Sequence, residues 1–213
     1  MSAPAVPTVE NVALVGGRLC LDFVNSANWL DGAACDERLN TIHDLFAWGR
    51  RLGLLDEAGR RALAARAEAA PAAAARELAQ VIALRASLRR LFGAVVDGEP
   101  GVRADALGAL NAALRHKAGC ALQETRAGFA LEPGSGLTSW LVRPVAYAAL
   151  ELLTSPRLGR LRRCPGTRCG WMFLDESPNG RRRWCSMATC GNRRKAQRHY
   201  AASKKAASEE RRR

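Results

Sequence analysis

Apolar side chains recur at helical spacing along most of the first 156 residues. In residues 40–52, NTIHDLFAWGRRL, Asn40 or Thr41 can cap a helix whose apolar positions return every three or four residues. The same spacing predicts further helices over residues 57–70, 72–96, 102–117 and 138–153. Asp56 can cap the second of these helices, Pro71 can end it, and residues 97–101, DGEPG, form a strong break. This part of the chain is therefore predicted to be mostly helical.

Two segments have the appearance of strands. Residues 16–26, GGRLCLDFVNS, contain a short apolar run that predicts a strand. Residues 120–133, CALQETRAGFALEP, predict a hairpin in which Leu122 and Leu131 flank a turn near Ala127 and Gly128. We therefore expect an α+β fold, with a predominantly helical N-terminal domain and a short strand or hairpin element.

Four of the seven cysteines form a regular pattern near the C-terminus. Cys164 and Cys169 have four residues between them, fifteen residues follow, and Cys185 and Cys190 repeat the first spacing. Two short loops that each carry two thiolates suit a tetrahedral zinc ion about 2.3 Å from each sulfur. We expect one structural Zn²⁺ in a treble-clef-like finger, with a β-hairpin over residues 171–184 whose turn lies at 177–180, and a helix that begins near Cys190.

Three other uses of these four cysteines are possible. Two disulfides do not suit a chain without secretory features, a redox pair more naturally has the spacing C-x-x-C, and an iron–sulfur cluster is the third alternative. The scattered Cys20, Cys35 and Cys120 are expected to be free thiols.

The charge of the chain is segregated. Residues 1–156 contain 16 Lys and Arg against 16 Asp and Glu, whereas residues 157–213 contain 17 against 4, so the whole net charge of +13 lies in the last quarter. Arginines such as Arg168, Arg183 and Arg193 could partly neutralise a bound Zn²⁺ with four thiolates, whose charge is about −2, but two negative charges do not account for a net charge of +13. Most of the positive charge must therefore face another partner, and we divide the chain into domains at 1–156 and 157–213.

The segment after Cys190 predicts a basic helix over residues 192–205, NRRKAQRHYAASKK. Ala196 and Tyr200 are expected to pack it onto the zinc hairpin, which leaves the cations facing double-stranded DNA. The expected DNA-contacting residues are Arg181, Arg182, Arg183, Asn192, Arg193, Arg194, Lys195, Gln197, Arg198, Lys204 and Lys205. A homodimer would suit a palindromic site, although no heptad pattern supports one.

The sequence also allows partners other than DNA. A four-cysteine module can also be a protein-docking adaptor without direct DNA contact, which would depend on exposed apolar residues such as Met172 or Met187. A basic surface can also associate with an anionic membrane or with the ribosome.

A group of polar residues follows the apolar run near the N-terminus. Asp22, Asn25, Ser26, Asn28 and Trp29 could line a pocket for a small-molecule effector that alters the orientation of the finger. The simpler alternative is that Asn25 and Asn28 cap a turn and that Trp29 packs on the first helix.

No pattern in the sequence indicates catalysis. A P-loop, a dinucleotide-binding glycine pattern, H-E-x-x-H and G-x-S-x-G are all absent, and four thiolates leave zinc no open position. We therefore expect no enzyme and no catalytic residue. The first twenty residues do not resemble a secretory signal, and no window has the roughly 18 apolar residues that span a bilayer. A cytoplasmic protein with no membrane partner is the expectation.

The residues after the zinc pattern carry a family resemblance. Residues 190–193 read CGNR, Trp184 precedes the third cysteine, and the segment 173–175, FLD, lies between the cysteine pairs. Together with the basic helix, these features resemble the CGNR zinc-finger proteins of bacteria. Residues 19–29, LCLDFVNSANW, and 44–55, DLFAWGRRLGLL, resemble an ABATE domain, with Ser26 where the family has threonine. The resemblance implies a regulatory domain fused to a DNA-binding zinc finger, in a one-component transcription regulator that responds to stress or to a ligand.

Overall fold

The computed structural model describes residues 8–99, 104–115, 121–125, 128–132 and 136–210, with side chains in all of these except 121–125, 128–132 and 205–210. The helices are α1 (Leu19–Val24), α2 (Ile42–Arg51), α3 (Glu57–Ala69), α4 (Pro71–Asp97), α5 (Ala104–Arg115), α6 (Ser139–Thr154) and α7 (Asn192–Glu210). The strands are β1 (Asn28–Leu30), β2 (Ala33–Asp36), β3 (Ala121–Thr125), β4 (Gly128–Glu132), β5 (Leu161–Arg163) and β6 (Met172–Leu174), paired as the antiparallel hairpins β1–β2, β3–β4 and β5–β6. The predicted α+β class is confirmed.

Local sequence signals set the helix boundaries as predicted. The Thr41 hydroxyl accepts a hydrogen bond from the Asp44 N–H, and the Asp44 carboxylate accepts one from the Thr41 N–H, which completes a capping box for α2. Asp56 caps α3 through the N–H of Gly59. Pro71, expected to end the preceding helix, is instead the first residue of α4, where its missing N–H costs nothing, while α3 ends at Ala69. Gly98 ends α4 with a left-handed φ of 65°.

The strand predicted over residues 16–26 is wrong, because this segment forms helix α1. Cys20, Leu21, Phe23 and Val24 are all buried, since α1 lies inside the molecule against α4, α6 and β6. A short apolar run that is buried on nearly all sides has no periodicity that separates a strand from a helix.

Two of the hairpins lie outside the metal-binding region. In β3–β4, Leu122 pairs with Leu131 as predicted, although the turn at 126–127 lies outside the described residues. The β1–β2 hairpin was missed. Its turn at Asp31 and Gly32 has φ values of 50° and 83°, as a tight hairpin turn requires, and an Asp-Gly pair is the sequence signal that could have predicted it.

One hydrophobic core runs through both predicted domains. Phe23 of α1 meets Trp48 of α2 with ring centroids 5.8 Å apart, and α2 approaches α6 so closely at Gly49 that a Cβ there would overlap the Trp140 ring. The same core continues into the C-terminal part through the buried side chains of β5 and β6. The finger is therefore packed against the helical body, and the division at residue 156 stays a prediction.

Candidate metal centre and basic helix

The first cysteine pair lies in a tight loop between β5 and β6. The Cys164 N–H donates to the Trp171 carbonyl at 2.8 Å, and the Cys169 N–H donates to the Gly166 carbonyl at 3.0 Å. The turn needs left-handed backbone at Gly170, where φ is 60°. A Cβ on Gly166 would lie 2.9 Å from the Cys190 sulfur, so only glycine leaves room for the thiol of the second pair.

The prediction of a β-hairpin over residues 171–184 is wrong. Strand β6 pairs with the preceding β5, with Arg162 opposite Phe173, and residues 175–184 form a loop instead of a return strand. The buried Asp175 organises that loop, since its carboxylate accepts hydrogen bonds from the Ser177 hydroxyl and from the N–H groups of Ser177 and Arg182. These bonds, the first above all, lower the pKa of Asp175.

The second cysteine pair lies at the entrance of α7, as predicted. Cys185 ends the loop, and Cys190 belongs to a single π-type turn over Met187–Gly191 that leads directly into the helix. The Ser186 hydroxyl caps this turn by accepting the N–H of Thr189 at 3.3 Å. The position of α7 is thus set by the residue that carries the fourth thiol.

The fold brings all four thiols of the predicted site together. The sulfurs of Cys164, Cys169, Cys185 and Cys190 lie within 4.8 Å of one another, and all four residues are buried. The Cys185 sulfur lies 3.6 Å from that of Cys169 and 3.6 Å from that of Cys190. Four sulfurs around one zinc ion stand about 3.8 Å apart in a tetrahedron with bonds of about 2.3 Å. The donor set and its spacing therefore fit one tetrahedral metal ion.

The thiols interact strongly with one another. Hydrogen bonds from Cys169, Cys185 and Cys190 lower the pKa of Cys164 far below its ordinary value, because they stabilise its thiolate. The other cysteines behave differently. Burial raises the pKa of Cys20 to about 12, Cys35 is partly exposed, and neither forms a disulfide among the described residues. Cys120 lies outside those residues.

The helical body holds the metal-binding loop through a short segment after α1. The Asn25 side-chain amide donates to the Met172 carbonyl at 2.7 Å, and its oxygen accepts the Met172 N–H at 2.8 Å, so it acts as a neighbouring strand would. The Trp171 indole N–H donates to the Ala27 carbonyl at 3.0 Å, and the Trp29 N–H donates to the Cys169 carbonyl at 3.0 Å. The loop that carries Cys169 is thereby fixed to β1.

The residues predicted to line an effector pocket form this same connection. Asn25 clamps β6, Ser26 accepts a hydrogen bond from the buried Arg85, and the Asn28 amide donates to Asp36. The Asp22 carboxylate accepts the Gly16 N–H, and the Trp29 indole N–H donates to the Val24 carbonyl. The structure brings these five residues together, but internal hydrogen bonds occupy their polar groups. This arrangement gives the effector role no support, and that role stays a prediction.

A buried cluster of charged side chains surrounds Trp29 and was not anticipated from sequence. The guanidinium groups of Arg85 and Arg89 lie 5.7 and 5.6 Å from the centre of the Trp29 ring. Arg85 is 1% exposed and forms an ion pair with Glu37. Arg38, also buried, lies 5.8 Å from the Trp171 ring, which connects the cluster to the metal-binding loop. No local pattern marks these residues, since their contacts join segments far apart in the chain.

Helix α7 is exposed on every side over residues 192–204. The prediction that Ala196 and Tyr200 pack it onto the hairpin is wrong, since both are exposed and Tyr200 is 72% accessible. The helix begins directly after the buried Gly191, and none of its residues from 192 to 204 is buried against another element. Its predicted DNA-contacting residues are therefore all accessible where side chains are described: Asn192, Arg193, Arg194, Lys195, Gln197, Arg198 and Lys204.

The three arginines of the loop before α7 differ from one another. Arg181 and Arg183 are exposed. Arg182 is directed inward, where its guanidinium lies 4.4 Å from the Phe173 ring and donates to backbone carbonyls. The acceptors are Val15, Leu174, Trp184 and Cys185. The donors of Arg182 thus stabilise the loop, which gives its expected DNA contact no support, and that contact stays a prediction.

Comparison with known families gave two matches. A model described as "Putative stress-induced transcription regulator" (ABATE) matches residues 17–156, which is more than half of the chain. A second model, the CGNR zinc finger, matches residues 160–202 and so includes all four clustered cysteines. No curated protein matched the chain. Neither family is an enzyme family, and among the described residues no helix has both the length and the apolar character to cross a membrane.

Proposed function

This chain belongs to the ABATE family and carries a CGNR zinc finger, and on that premise we propose that it is a zinc-dependent, DNA-binding, one-component transcription regulator. Residues 1–156 would form the regulatory part, which senses stress or a small-molecule effector, and residues 157–213 the DNA-binding part. A protein with this role would act in the cytoplasm. A palindromic operator would require a homodimer.

Zinc is the metal that the donor set favours. Four thiolates in a tetrahedral arrangement select zinc or an iron–sulfur centre among the common biological metals, and the two C-x4-C pairs close around a single point. Bound zinc would supply no chemistry beyond cross-linking the loop between β5 and β6 to the start of α7. Cys164, Cys169, Cys185 and Cys190 would hold it, and Gly166 leaves the space they need.

The observation that carries the DNA-binding proposal is the exposed basic helix. Between Asn192 and Lys204 the helix carries five Lys or Arg residues and no Asp or Glu, and every one of these residues is exposed. Most helices in proteins are stabilised by packing one face against a core. A charged helix without such a face is well suited to enter a DNA groove, where phosphates neutralise it and base edges are accessible. Asn192 and Gln197 are the residues proposed to reach base edges.

Fluorescence anisotropy of the zinc-loaded protein with a labelled duplex, titrated over salt, tests this proposal. For wild type, log K should fall steeply with log salt, by about 0.9 for each phosphate neutralised. Replacing Arg193, Arg194 and Lys195 with alanine should reduce this slope by about three units at unchanged zinc content. No binding by the wild type at low salt would refute the DNA-binding proposal.

A protein-docking adaptor is the second candidate function, and one observation favours it. Met187, in the turn before α7, and Tyr200, in the middle of α7, are large side chains that are 54% and 72% exposed. Met172, expected from the sequence to serve the same role, is fully buried in β6 and cannot dock a partner. If Met187→Ser abolished the regulation of transcription in cells while duplex binding stayed at the wild-type level, the protein-docking function would become the better explanation.

A further inference from the structure

A cleft lies between the metal-binding loop and the first turns of α7. Its volume is about 250 Å³, and residues 165–167 form one wall while α7 forms the other. Besides the Thr167 hydroxyl, six side chains along it carry N–H donors: Arg183, Trp184, Arg193, Arg194, Gln197 and Arg198. They come from two separate elements, the loop before Cys185 and the helix after Cys190, and the fold alone brings them together.

The chemistry of this cleft selects an anion. No Asp or Glu lines it, and within the described side chains none of its four guanidinium groups has a carboxylate within ion-pair distance. The Trp184 indole N–H likewise has no acceptor among those residues. A phosphate or carboxylate ligand requires such a group of donors that have no acceptors within the protein. One arginine can donate two parallel hydrogen bonds to two oxygens of the same phosphate.

The metal centre does not cancel this positive charge. Cys190 is among the residues that line the cleft, so a divalent ion with four thiolates would place a charge of about −2 next to it. Four arginines exceed that by about two charges, so the cleft stays attractive to an anion when the metal is bound. Its volume lies below the range of about 300–1,000 Å³ typical of drug-sized ligands, which favours a small group such as a single phosphate.

We propose that this cleft binds one backbone phosphate of the DNA and so fixes the base of α7 on the duplex. This inference rests on the proposed DNA-binding function and deepens it. A phosphate bound by both Arg183 of the loop and Arg198 of the helix determines the angle between α7 and the DNA backbone. The outer part of the helix, up to Lys204, then lies in the adjacent groove. Contacts of this kind set register and orientation, while base contacts select the sequence.

A double-mutant cycle on the full-length, zinc-loaded protein tests the assignment. Arg183→Ala and Arg198→Ala are the cleft variants. The matched controls are Arg181→Ala, on the same loop, and Lys204→Ala, on the same helix, which remove the same charge outside the cleft. Each cleft variant should weaken duplex binding about tenfold, as expected for the loss of a charged hydrogen bond, whereas each control should weaken it only a few-fold.

The two double variants distinguish one shared phosphate from scattered charge. The Arg183→Ala/Arg198→Ala double variant should bind more tightly than the product of its single effects predicts, because both arginines hold the same group. The Arg181→Ala/Lys204→Ala effects should multiply. If the losses of duplex affinity were equal in the cleft and control variants and multiplied in both double variants, the shared phosphate site would be refuted. The proposal that the protein binds DNA would still stand. Failure of the wild type to bind any duplex would instead remove the proposed function and this inference with it.

A small phosphate compound that is free in solution could occupy the cleft in place of a DNA phosphate. Calorimetry with inorganic phosphate and pyrophosphate at constant ionic strength should show only weak binding, in the millimolar range. Micromolar binding of pyrophosphate that Arg198→Ala abolishes, with duplex affinity unchanged in that variant, would overturn the proposal and assign the cleft to a small phosphate ligand.

Discussion

Asn25 joins the helical body to strand β6, which follows the metal-binding loop. Its side chain is 1% exposed and makes two hydrogen bonds to the backbone of Met172, at 2.7 and 2.8 Å. Replacing Asn25 with alanine removes both bonds and leaves a buried N–H and a buried carbonyl without partners, at a position that water does not reach.

The expected loss follows from those two groups. Each buried backbone group left without a partner costs about 1–3 kcal/mol, so Asn25→Ala should lower the free energy of unfolding by about 3 kcal/mol after partial relaxation. Because Met172 follows the loop that carries Cys169, the same change should also speed the release of zinc. Asn28→Ala provides a control, since Asn28 is only partly buried and its hydrogen bonds are to the side chains of Asp36 and Arg38. It should cost less than about 1 kcal/mol.

Urea unfolding followed by tryptophan fluorescence measures the stability, and a chromogenic chelator measures the rate of zinc release. Both readouts should change in Asn25→Ala and stay close to wild type in Asn28→Ala. A loss below about 1 kcal/mol in Asn25→Ala, with zinc release at the wild-type rate, would show that the Asn25–Met172 bonds do not fix the hairpin and would refute the reasoning.

Three further predictions test other parts of the fold. Removing the metal with a chelator, or by Cys185→Ser, should lower the melting temperature of the whole chain by about 10 °C or more. The reason is that Trp29 and Trp171 join the metal-binding loop to the helical body. Faster hydrogen exchange confined to residues 157–213, with the melting temperature unchanged, would contradict this. Burial tends to raise the pKa of Glu37, but the hydrogen bond and charge of Arg85 outweigh it and lower this pKa. The pair therefore stabilises the protein above about pH 4.3 and less so as pH falls through the folded-state pKa, so Glu37→Gln should cost about 3 kcal/mol at pH 7 and progressively less in more acidic buffer, as measured by urea unfolding. Arg182→Ala should destabilise the protein by about 2 kcal/mol, because it leaves four carbonyls short of a donor, whereas its neighbour Arg181→Ala should leave unfolding unchanged; equal melting temperatures for the two variants would refute the inward role of Arg182.

Short-range chemistry in the sequence determined several features of this protein. The paired C-x4-C spacing predicted which thiols come together, because each pair needs only a short loop. Thr41, Asp56 and Pro71 predicted helix ends, because capping and the missing proline N–H act within one turn. The excess of Lys and Arg after residue 156 predicted an accessible basic surface, because so many like charges cannot be buried together.

Only the tertiary structure decided features that depend on contacts between distant segments. The run at 19–24 is a helix because burial on nearly all sides removes the alternation that would identify it, and β6 pairs with β5 because the cysteine loop closes between them. Arg181 and Arg182 are indistinguishable in sequence, yet one faces solvent and the other donates to carbonyls that Val15 and Leu174 bring from other segments. Local propensity acts over a few residues, whereas the partners of Asn25 and Arg182 lie up to 167 positions away in the chain.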